Sequence, residues 1–166
     1  MILSFFRRRR LLDAVWRGDI DAVEALLRKG ADPNAAEADG TCALMLASQH
    51  GFEGIVQRLV EHGADVDARL GDGLSPLIFA ANKGRASIVR ILLANGANPN
   101  ARGGESGLSA LRQASQNGHL EIVEMLIGKG ADPSAKDAHG ATAMMMARAN
   151  GHIDVVRFLE QAGARE

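Results

Sequence analysis

The chain has 166 residues, of which 46% are hydrophobic, 23% charged and only 4% aromatic, with one Trp and no Tyr. So few aromatics argue against a β-sandwich core and for helices packed closely over Ala, Leu, Ile, Val and Met. The net charge of −1 argues against a general polyanion binder, but residues 1–17 carry five Arg and one Asp, a net of +4, and the rest carries −5.

The chain opens with MILSFFRRRR. Apolar residues precede the positive ones, the reverse of a secretory signal. No stretch reaches the roughly 18–20 apolar residues of a membrane span. Cys42 is the single cysteine, so no intramolecular disulfide can form and a cytoplasmic protein is expected. Three readings of residues 1–10 stay open. They extend a first helix, with Ile2, Leu3, Phe5 and Phe6 capping the end of a stack; they anchor on a membrane surface; or they dock in a partner's groove. Nucleic-acid binding through Arg7–Arg10 is opposed by the acidic remainder.

Beyond residue 10 three glycine series run in phase. G-A-[DN] recurs at Gly30, Gly63, Gly96 and Gly130, with a shortened copy at Gly163. A second series is Gly18, Gly51, Gly84, Gly118 and Gly151, and a third is Gly40, Gly73, Gly107 and Gly140; every step is 33 or 34. That period is the mark of stacked supersecondary units. In each unit a short segment (Ala43 to His50) ends at a glycine. A second segment follows (Glu53 to His62) with apolar residues such as Ile55, Val56, Leu59 and Val60 on one helical face. Glycine after each segment suits a left-handed helix cap, and Asp39-Gly40 and Asp72-Gly73 suit tight turns. The predicted unit is helix, turn, helix and projecting hairpin. No such pair buries its apolar face alone, so neighbours must stack.

This pattern resembles the ankyrin repeat, most closely in GDGLSPLIFAANKGRASIVRILLANGANPNA, residues 71–101. The resemblance implies an all-α solenoid with projecting β-hairpin loops. Its expected layout is an extension at 1–10 and a repeat domain at 11–166, with units near 11–38, 39–71, 72–105, 106–138 and 139–166. Departures are clear. The T-P-L-H element reads Cys42-Ala43-Leu44-Met45, Ser75-Pro76-Leu77-Ile78, Ser109-Ala110-Leu111-Arg112 and Thr142-Ala143-Met144-Met145. Cys42 is a poor helix cap. The family's histidine is absent from all four, so apolar stacking should take over its role between units. One extra residue in Arg102-Gly103-Gly104-Glu105-Ser106 predicts a mobile hairpin.

By resemblance, ankyrin arrays bind proteins through hairpin tips and first helices, which line a concave face. Mapped onto this chain, the partner-binding candidates at hairpin tips are Asp39, Thr41, Asp72, Leu74, Glu105, Leu108 and His139. His50, Lys83, Asn117 and Asn150 stand at first-helix ends, and Leu46, Phe79, Gln113 and Met146 line the groove. A single protein partner and a monomeric chain are expected, with neither enzyme activity nor cofactor. No Gly-x-Ser-x-Gly, His-Glu-x-x-His or Walker-type loop occurs. His119 and His152 sit one unit apart, and helices spaced about 8–10 Å are too distant for one metal. Cys42 reads as a buried structural thiol. In the run Met144-Met145-Met146 successive residues diverge by about 100°, so the three cannot form a metal box. Met144 is expected in the core, Met145 beside Arg112 and Met146 in the groove.

Overall fold

The computed structural model describes the backbone of residues 2–165 and the side chains of residues 6–165. Helices come in antiparallel pairs: α1 (Ile2–Trp16) and α2 (Ile20–Arg28); α3 (Ala43–His50) and α4 (Glu53–Glu61); α5 (Pro76–Asn82) and α6 (Ala86–Ala94); α7 (Ala110–Gln116) and α8 (Leu120–Gly128); α9 (Ala143–Ala149) and α10 (Ile153–Gln161). First helices stack in the order α1, α3, α5, α7, α9 and second helices in the order α2, α4, α6, α8, α10, forming two layers. One apolar core runs the length of the array between them, from Leu11 to Leu159. Residues 2–10 share the unbroken helix α1 with the first core residues, Leu11 and Leu12, while the side chains of residues 6–10 are exposed. The expectation that Ile2, Leu3 and Phe5 cap the stack lies outside the described side chains.

Local chemistry sets the helix boundaries. Ser75, Ser109 and Thr142 each accept the N–H three residues on (Ile78, Arg112 and Met145), while Cys42 caps nothing, as its thiol predicts. Cys42 is buried, and burial pushes its thiol pKa up, outweighing any lowering by the helix start.

The inter-helix glycines have a second reason beyond their positive φ. Phe52, Arg85, His119 and His152, each just after its own glycine, lie over the glycine of the preceding unit. A Cβ at Gly18, Gly51, Gly84 or Gly118 would meet them at 3.1, 2.8, 2.7 and 2.5 Å. The His152 ring is further tied to the Gln116 carbonyl at 3.1 Å. Gly118→Ala combines a left-handed backbone with displacement of that ring. It should destabilise by about 2–3 kcal/mol in urea unfolding; a change under about 0.5 kcal/mol would contradict this packing.

Units are also stitched along the loops. The last position of the G-A-D-P-N element accepts a backbone N–H from the next unit: Asn34 from Asp65, Asp67 from Asn98, Asn100 from Asp132 and Ser134 from Arg165, all at 2.8–2.9 Å.

At the missing-histidine positions Met45 and Ile78 are buried, as apolar stacking requires. Arg112 corrects that expectation for the fourth unit. Its Nε lies 2.9 Å from Asp137 Oδ2, and the side chains are only 16% and 1% exposed. Asp137 also accepts the N–H groups of His139 and Ala141 at 2.8 and 2.9 Å. A buried carboxylate needs such partners, and an apolar residue at 112 would supply none.

Candidate functional site

The candidate site is the side of the array formed by the hairpins and the first-helix layer. Hairpin tips are held by their own carboxylates. Asp39 accepts the Thr41 N–H at 2.9 Å and Asp72 the Leu74 N–H at 3.1 Å. The Thr41 N–H, together with its hydroxyl, holds the Asp39 carboxyl below the usual range, so this exposed tip stays charged.

The hairpin carrying the extra residue is not a free loop, contrary to the sequence expectation. Strands β1 (Arg102–Gly103) and β2 (Leu108–Ser109) pair antiparallel, with Gly103 opposite Leu108. Gly104 N–H donates to the Asp72 carbonyl at 2.8 Å on one side, and Ala138 N–H donates to the Ser106 carbonyl at 3.0 Å on the other. Buried Gly103 lies so close to the preceding hairpin that a Cβ there would fall 2.3 Å from Gly73 C and Leu74 N. Two glycines let one backbone lie against the other. The result places Leu108 and Leu74 both beside Gly104, where an added Cβ would meet their side chains at 3.6 and 3.9 Å.

Other predicted positions fall as follows. Asp72, Glu105, His139, His50, Lys83, Asn117 and Asn150 are exposed, and Thr41, Leu74, Leu108, Phe79, Gln113 and Met146 are half-buried. His139 Nε2 contacts Ser106 Oγ at 3.3 Å. The Asn117 amide bonds the Asn82 carbonyl at 3.2 Å, and the Asn150 amide caps the Met146 carbonyl at 2.8 Å. Leu46 is corrected: it is 2% exposed and belongs to the core, because α3 is flanked by α1 and α5 and a leucine is short enough to be covered between them. Phe79 packs against the core along one side and stays partly open. In the methionine run Met144 is core, but the sulfur beside Arg112 is that of Met146, 3.7 Å from Nη2. Among the described residues no three His, Cys, Asp or Glu side chains converge as a metal site.

Sequence reasoning missed Trp16. It stands two residues before Gly18, one position earlier than the first-helix-end candidates His50, Lys83, Asn117 and Asn150, which directly precede their glycines. Its indole N–H donates to Glu37 Oε1 at 2.8 Å and its ring meets His50 edge-on at 5.0 Å. His50 in turn stacks on Phe52 at 5.6 Å. Trp16 is nevertheless 49% exposed.

The family described as ankyrin repeats (3 copies) matches residues 11–103 and again residues 102–165. The chain is an ankyrin-repeat protein. No curated protein matches it as a relative. Ankyrin repeats are protein–protein interaction modules, and that coarse function holds for this ankyrin array. No helix of the described residues is long and apolar enough to cross a membrane.

Proposed function

We propose that this ankyrin-repeat protein is a cytosolic adaptor or inhibitor that holds one protein partner against its hairpin and first-helix face. The observation that carries this reading is Trp16. A tryptophan left half in solvent, yet held in one orientation by Glu37 and His50, is a preformed aromatic anchor of the kind that dominates interfaces. Phe79 and the Leu74–Leu108 pair, all partly open, extend the apolar contact from the first-helix layer to the hairpin tips. Asp39, Asp72 and Glu105 at the tips and Lys83 at a helix end form a charged rim, which sets orientation more than affinity.

Affinity capture followed by mass spectrometry tests this, comparing wild type with Trp16→Ala, Leu74→Asp and Phe79→Ala. Each should weaken capture by about 30-fold or more, the effect of losing an anchor worth about 2 kcal/mol. Trp16→Ala should barely change melting. Phe79→Ala should lower stability by about 1–2 kcal/mol while the array stays folded. Capture unchanged by all three, with folding intact, would sink the proposal.

A further inference from the structure

The leading face of the first unit breaks the pattern of the array. Leu59, Leu92, Leu126 and Leu159 are fully buried at 0% exposure, but their counterpart Leu26 is only half-buried. Ala22, in place of Ile55, Ile88, Ile122 and Val155, is likewise open. These are stacking positions with no preceding unit over them among the described residues. The opposite end is treated differently. There Glu160 replaces the series Leu27, Val60, Leu93 and Ile127, and it pairs with Arg148 at 3.3 Å. The last unit thus puts a charge at one of its stacking positions, although Ile153 stays 55% exposed there, while the first unit keeps apolar residues at its open stacking positions, with cations beside them.

The cations are placed with some order. A hollow of about 500 Å³ between α1 and the end of α2 is lined by Phe6, Arg7, Arg10, Leu26 and Lys29: three cations and no carboxylate. None of the ion pairs among the described residues involves Arg7, Arg10 or Lys29. The adjoining hollow adds Arg17 over an apolar floor of Ala22, Ala25 and Leu26, with Asp13 as its one acid. Phe6, 57% exposed, stands at the edge. The surface is thus two antiparallel helices with an apolar floor, one exposed aromatic and a rim that is cationic along α1, while the far edge of α2 adds Asp21 and Glu24, the latter paired with Arg28.

We propose that this face docks on anionic phospholipid membranes, with Arg7, Arg10 and Lys29 taking headgroup phosphates and Phe6 and Leu26 meeting the acyl boundary. The extended row of shallow hollows suits a planar surface more than a single peptide. Neither hollow is lined by Trp16 or by a hairpin residue, so docking here goes beyond the protein-binding proposal and stands without it.

Flotation of the full chain with phosphatidylcholine vesicles, with and without about 30% phosphatidylserine, tests the inference. Binding should appear only with phosphatidylserine and should fall as salt rises. Each basic residue near such a surface contributes about fivefold, so Arg7→Glu with Arg10→Glu should weaken binding by at least about 25-fold. Lys29→Glu should act in the same direction, and the charge-matched control Arg157→Glu on α10 should bind like wild type. Circular dichroism of the exposed-residue variants should match wild type. Three outcomes would overturn the proposal: no flotation, equal binding to neutral vesicles, or reversal variants that bind like wild type. Self-association by light scattering, or capture of an acidic protein, that is lost on Arg7/Arg10 reversal while flotation is absent would assign the face to that partner instead.

Discussion

Gly103→Ala should destabilise the protein by about 2–3 kcal/mol without touching a helix. Gly103 does not have a positive φ, so its role is close approach alone. The new methyl would lie 2.3 Å from Gly73 C and 2.4 Å from Gly73 O. Backbone cannot rotate aside as a side chain can, so one hairpin must lift off the other. The Gly104 N–H bond to Asp72 and the Arg69 bond to the Arg102 carbonyl (3.2 Å) should loosen with it. The same lift separates Leu74 from Leu108, so partner binding should fall further than stability alone explains. Gly128→Ala is the matched contrast. That glycine is helical with nothing within 4 Å of the added methyl. It should gain up to about 1 kcal/mol from helix propensity and a less flexible unfolded chain. Urea unfolding of the two variants checks both signs.

Asp137→Ala should have an effect of similar size, about 2–3 kcal/mol at neutral pH, because it strands Arg112 and two backbone N–H groups. The pH dependence gives the diagnostic. Burial acts most strongly on the Asp137 carboxyl and raises its pKa, but the Ala141 and His139 N–H groups and the Arg112 charge together outweigh it, so the folded pKa lies below the ordinary 3.8. A depressed carboxyl pKa contributes stability that is complete above the unfolded pKa and disappears as pH falls through the folded one. The gap between wild type and Asp137→Ala should therefore be constant from pH 7 down to about 5 and close below about pH 4. Added salt should change it little, since the pair is shielded from solvent. A gap that persists at pH 2 would mean the loss is one of packing, not of charge.

The repeat was legible because all three glycine series share one local constraint, a positive φ that a Cβ would strain. Only the inter-helix glycines Gly18, Gly51, Gly84 and Gly118 add a second, a side chain of the next unit lying over them. Cap chemistry was legible for the same local reason: Ser75, Ser109, Thr142 and Cys42 behave as their side chains dictate. What failed was whatever depends on the neighbouring unit. Leu46 occupies the same register as Phe79, yet burial there is decided by how far α1 and α5 close over it. The Arg102–Ser106 hairpin looks flexible by composition, but two of its glycines serve backbone contact. Arg112 looked like a missing histidine, and its acid partner lies 25 positions on, outside any local window. Trp16 was overlooked because the first unit lacks a hairpin signature, so its contact positions were not carried over. Function was legible only to the level of a binding module, because the face that chooses a partner is the face the core leaves free.

Amide hydrogen exchange on the captured complex tests the central claim most directly. Slowed exchange on binding should fall on the C-terminal end of α1, the hairpins around Asp39, Asp72 and Glu105, and the first helices α5 and α7. Protection confined to α4, α6, α8 and α10, with the hairpins exchanging as in the free protein, would contradict it.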